Sequence, residues 1–160
     1  MSKNAKSLKR STKSNQWKIW LLVVLILATL AFIWGNSMVT GTESGSFSTR
    51  IREAINSFLG SAGLSNLQMA DDFIVRKTGH AAEYAILGIE LTLLLWVYQN
   101  KPWSLLFLCG MSAGLIDETI QLFTPNRAGL ITDVWIDFTG FCIGSLLIML
   151  FNQKTHRRRR

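Results

Sequence analysis

From Ile19 to Gly35 the chain reads IWLLVVLILATLAFIWG without a charge. With Trp17 and the residues that follow, this run reaches the roughly 20 residues needed to cross about 30 Å of hydrocarbon. The preceding basic lead is long for a secretory signal, and no small-x-small cleavage pattern follows Trp34, so an uncleaved anchor is expected. Composition agrees with a membrane chain. Of 160 residues, 49% are apolar and 17% charged, where a soluble globular domain carries roughly 25% charge. This excludes an intrinsically disordered chain and a collagen-like repeat. Cys109 and Cys142 lie inside apolar runs, which excludes a disulfide scaffold, and both are expected to be small core residues.

Three further apolar runs are short by themselves: Tyr84 to Tyr98 is interrupted by Glu90, and the others cover Trp103 to Ile116 and Phe138 to Phe151. Each becomes long enough to span when its polar end is counted into the helix. The predicted spans are therefore 17–36, 78–98, 103–123 and 131–151, an all-α four-helix transmembrane bundle. Trp17, Trp34, Tyr98, Trp103 and Trp135 fall at span ends as an interfacial aromatic belt would, and Asn100-Lys101-Pro102 serves as a reversing turn.

An even number of spans places both termini on one side. The net charge of +7 sits largely at the two ends, with Lys3, Lys6, Lys9, Arg10, Lys13 and Lys18 before the first span and Lys154 with Arg157 to Arg160 after the last. The positive-inside rule makes that side cytoplasmic. Residues 1–16 read as a solvated, disordered basic arm and 152–160 as a basic tail. An arginine run directly after a span sets topology and touches anionic headgroups, so no nucleic-acid partner is expected. The loop 37–77 then lies outside. Within it Phe47, Ile51, Ile55, Phe58 and Leu59 recur at helical spacing, predicting an amphipathic helix over about 47–59 that lies on the outer leaflet or packs over the bundle.

With this topology the polar residues of three spans reach the same depth. His80, Glu83 and Tyr84 open the second span, Asp117, Glu118 and Gln121 close the third, and Asp133 and Asp137 open the fourth. Gly110, Gly114, Asp117 and Gln121 form one helical stripe, and Asp133, Asp137, Gly140 and Gly144 repeat it in mirror order. Facing each other, the glycine pairs would let the third and fourth spans approach closely while the carboxylates meet in the outer half. Glu83, Asp117, Glu118, Asp133 and Asp137 confront Arg76, Lys77 and Arg127, an excess of two negative charges. Protons on the carboxylates, a protonated His80, a bound metal or a cationic ligand would each relieve it. Oxygen ligands with one imidazole suit Mg²⁺, Ca²⁺ or Mn²⁺, but the spacing is specific for none, so no metal and no cofactor is assigned. Glu90, deeper and without an evident partner, is expected to be neutral or water-contacting.

The stretch Arg76-Lys77-Thr-Gly-His80-Ala-Ala-Glu83-Tyr84-Ala-Ile-Leu87-Gly88, then Asp117-Glu118-Thr-Ile-Gln121, Arg127, and Asp133-Val-Trp-Ile-Asp137-Phe-Thr-Gly140 with Gly144, resembles the VanZ-like family over about residues 70–150. Thr124-Pro125-Asn126-Arg127 departs from it, standing where Pro-Gly is expected before the arginine. The resemblance implies a small multi-span protein of the bacterial cell envelope, in a family named for resistance to teicoplanin-type glycopeptides, and transfers no catalytic residue.

Three readings follow. In the first, an outward-facing polar pocket of Lys77, His80, Glu83, Tyr84, Asp117, Glu118, Gln121, Arg127, Asp133 and Asp137 binds a membrane amphiphile, either a lipoglycopeptide or a lipid-linked wall precursor. In the second, an intramembrane enzyme modifies a lipid headgroup or envelope polymer with His80 or a carboxylate as general acid or base, although no nucleophile elbow, HExxH or P-loop is present. In the third, the cluster only holds the helices together.

Overall fold

The computed structural model describes residues 3–69, 71–98 and 102–157, with side chains for 16–69, 71–98 and 102–151. Among them the chain is all-helical: α1 Lys3–Ser37, α2 Gly41–Ser61, a 3-10 turn Ser65–Leu67, α3 Asp72–Tyr98, α4 Trp103–Leu122 and α5 Ile131–Arg157. Four segments are long and apolar enough to cross a membrane: Gln16–Ser37, Asp72–Tyr98, Trp103–Leu122 and Ile131–Phe151. A helix is the natural form for each, since it satisfies its own backbone where lipid offers no hydrogen bonds.

Two boundaries differ because local capping outweighs apolar spacing. The helix expected over 47–59 starts at Gly41, after a box in which the Thr40 hydroxyl accepts from the Glu43 N–H and donates to the Glu43 carboxylate. The span expected from Thr78 begins at Asp72, directly after Asp71, whose carboxylate accepts the Phe73 N–H at 2.8 Å. The arm expected to be disordered is also helical from Lys3. No proline or glycine interrupts residues 3–18, so the turns of α1 extend from an existing helix without a new nucleus. α5 likewise runs into the basic tail as far as Arg157. Asn100 and Lys101 of the expected turn lie outside the described residues.

The end of α1, the start of α3, the end of α4 and the start of α5 meet at one end of the bundle. Gln121 reaches Ser37 there, Lys77 pairs with Asp133, and the Arg127 guanidinium donates to the Asn36 carbonyl. The start of α1 and the end of α5 lie at the other end. The interior is built around Ile26, Ile33, Tyr84, Leu87, Leu106, Ala113 and Phe141, while Trp20, Leu27, Phe32, Leu108 and Leu147 point outward. An apolar exterior on this scale is what hydrocarbon accepts and water does not.

The closest helix pair corrects the expected glycine pairing. α3 and α5 share the most extensive interface. A Cβ at Gly140 or Gly144 would enter the backbone of Ala81 or Ala85, and one at Gly88 would enter the carbonyl of Phe141. The fourth-span glycines therefore seat against α3, with Gly88 as their counterpart. Gly110 and Gly114 do face α5, but against the Phe141 ring and against Val134 and Asp137. The reason is volume: Phe141 fills the space between α4 and α5, and only α3 brings small residues, Ala81 and Ala85, to the Gly140 face.

Candidate functional site

The polar end of the bundle is stapled by the loop between α4 and α5. The Thr124 hydroxyl donates to the Ser37 carbonyl at 2.9 Å, the Gly41 N–H donates to the Pro125 carbonyl at 3.0 Å, and Arg127 donates to the carbonyls of Val39 and Asn36 at 3.1 and 2.9 Å. Asn126 sits in the left-handed region at φ 58°. Asparagine tolerates that region best after glycine, so the departure from Pro-Gly keeps the turn. Burial, with Arg76 nearby, pulls the Arg127 guanidinium below its usual value, yet guanidinium stays charged in proteins.

α2 is held over this end by its own polar face. The Thr49 hydroxyl donates to Asp72 at 2.7 Å, Arg52 forms an ion pair with the same carboxylate, and Asn56 brackets the backbone of Met69. The pair with Asp72 raises the Arg52 guanidinium above its usual value. Phe47 and Phe58 remain exposed. Beneath α2 lies a cavity of about 400 Å³. Val39, Phe47, Ile51 and Val75 form its apolar lining, and Asn36, Glu43, Ser44, Ser48, Arg76, His80, Glu83 and Arg127 its polar lining. A second cavity of about 230 Å³ adjoins it, lined by Lys77, Gln121, Asp133 and Leu130 and sharing Arg76, His80 and Arg127 with the first.

The residues anticipated for one pocket therefore divide. His80 and Arg127 line both cavities, Glu83 lines the first, and Lys77, Gln121 and Asp133 line the second. Glu83 accepts from the Asn36 amide at 3.1 Å, and Lys77 forms a part-buried ion pair with Asp133. Glu118 has a supporting position. Its carboxylate accepts the Leu130 N–H at 2.7 Å and the Gln121 amide at 3.0 Å, fixing the loop that carries Arg127. Tyr84 is fully buried in the apolar core. Glu90, expected to lack a partner, accepts from the Thr29 hydroxyl at 3.0 Å, far from either cavity.

Asp117 and Asp137 line neither cavity. Both are fully buried, and each presents a carboxylate oxygen 3.8 Å from His80 Nδ1. His80 thus joins the cavities to two enclosed acids from α4 and α5. The sequence did not reveal the contribution of Asn36 at the end of α1 and of Val39 just beyond it, because a single amide at the end of an apolar run carries no periodic signal. The Phe47 and Ile51 spacing did mark the face of α2 that closes the cavity.

A bundle of four membrane-crossing helices, with polar cavities gathered at one end under an amphipathic helix, is a multi-pass membrane protein. The VanZ/LLP1 family model matches residues 19–152, and the chain belongs to that VanZ-like family. Comparison with curated proteins finds no match, nor does comparison with solved structures.

Proposed function

We propose that this VanZ-like protein contributes to resistance against teicoplanin-type glycopeptides by holding an amphiphile, either a lipoglycopeptide or a lipid-linked wall precursor, in the cavity beneath α2 at the outer leaflet. One observation carries the reading. The cavity of about 400 Å³ is apolar along Val39, Phe47, Ile51 and Val75 and cationic at Arg76 and Arg127, so an acyl or aromatic group and an anionic group fit side by side. The family name links to teicoplanin, and the basic chain ends supply the orientation through the positive-inside rule. Arg127 is held by two carbonyls that leave its charge uncancelled, which suits it to phosphate or carboxylate.

Deleting the protein is expected to lower the teicoplanin concentration that stops growth, and re-expression should restore it. Arg76→Ala and Ile51→Asn should fail to restore it while accumulating normally by immunoblot, since neither residue staples the fold. Unchanged drug sensitivity in the deletion strain would contradict the proposal.

A further inference from the structure

We propose that His80, Asp117 and Asp137 bind one first-row divalent cation, of the Zn²⁺ or Mn²⁺ class, where α3, α4 and α5 meet. One ligand atom from each residue falls within 4.8 Å of the other two, and both carboxylates are fully buried. What these atoms lack points to a ligand. Among the described residues neither oxygen of Asp137 has a hydrogen-bond partner, and Asp117 Oδ1 and His80 Nδ1 have none either. The two carboxylates and the imidazole thus face one another in an enclosed space, an arrangement that costs several kcal/mol per group unless protons neutralise it or a positive centre lies between them.

The permanent cations nearby face the cavities rather than the two buried acids, Arg76 and Arg127 lining both. Lys77 pairs with Asp133, and Arg127 donates to the carbonyls of Val39 and Asn36. Among the described residues no lysine or arginine forms an ion pair with Asp117 or Asp137. Gln121 steadies the second oxygen of Asp117 at 3.3 Å, as an outer partner orients a ligating carboxylate. One imidazole nitrogen with two carboxylates suits Zn²⁺ or Mn²⁺ better than Ca²⁺, which prefers an all-oxygen shell. Three protein ligands leave a coordination position for water or an anion. The three ligands lie on different helices, so no short sequence spacing announces them. The site stands independently of the amphiphile: its failure would leave the drug-sensitivity result untouched, and the reverse also holds.

The test uses the full chain purified in detergent, stripped with a chelator and exposed to Mn²⁺ or Zn²⁺. Bound metal is measured after desalting, and thermal unfolding is followed with and without the ion. One ion per chain and a higher Tm with metal are expected. His80→Gln and Asp137→Asn should weaken binding by at least about tenfold, and Glu53→Gln, at an exposed carboxylate, should bind as the parent does. His80→Gln keeps the test decisive if Asp137→Asn accumulates poorly. Failure of the stripped parent chain to bind either ion, or parent-like binding by His80→Gln, would overturn the proposal.

Discussion

Lys77→Met is expected to destabilise the protein by about 3–5 kcal/mol, among the largest effects of any single side-chain removal here. Lys77 and Asp133 tie the first turns of α3 and α5 together, with side chains only 14% and 15% exposed. Only the water of the adjoining cavity remains to solvate a charge left behind. Removing the lysine strands Asp133 beside Glu118 and the enclosed acids, whereas removing both charges exchanges an ion pair for apolar packing. The double variant Lys77→Met with Asp133→Leu should thus regain most of the stability. Unfolding in detergent, followed by helical circular dichroism for the two singles and the double, checks this. A single variant as stable as the parent would show that water or lipid headgroups solvate the pair.

Gly144→Val is expected to prevent folding, with Gly140→Leu close behind. A Cβ at either position would meet backbone of α3, at Ala85 and Ala81, and backbone cannot rotate aside as a flexible side chain can. Overpacking ordinarily costs about 1–3 kcal/mol. Here relief requires separating α3 from α5, the pair that carries Lys77, His80, Asp133 and Asp137, so the whole polar end would be lost with it. Gly35 and Gly45 are controls, because a Cβ at either meets nothing within 4 Å. Gly35→Ala and Gly45→Ala should accumulate as the parent does. Protein abundance and size-exclusion profiles in detergent distinguish the outcomes, and a monodisperse Gly144→Val protein of unchanged Tm would refute the close packing of α3 on α5.

The spans were legible in the sequence because hydrocarbon imposes a length rule that local detail seldom overrides. Trp103 and Ile131 were placed correctly as helix starts, whereas Asp72 and Gly41 were not: a cap extends a helix past its apolar stripe, and the signals at Asp71 and at Thr40 with Glu43 are single residues. Depth along each helix was equally readable, so the convergence of His80, Asp117 and Asp137 could be anticipated from 1.5 Å per residue. Rotation about the helix axes was less so. The glycine stripe of α5 has two neighbours of similar length, and nothing in its spacing says that Ala81 and Ala85, rather than Gly110 and Gly114, receive it. Glu118 was assigned to the pocket by its depth at the end of the third span, yet its carboxylate turns to the Leu130 backbone instead. Loop conformation decides that contact, and loops have no period to read.

The central claim is that the polar end of the bundle opens outside the cytoplasm. Its most direct test is a membrane-impermeant maleimide applied to intact cells carrying Ser44→Cys, on the lining of the larger cavity, or Gln153→Cys near the carboxyl end, each in a chain with Cys109 and Cys142 replaced by serine. The account predicts that Ser44→Cys is labelled in intact cells and Gln153→Cys only after permeabilisation. Labelling in the opposite order would place the cavities in the cytoplasm and contradict it.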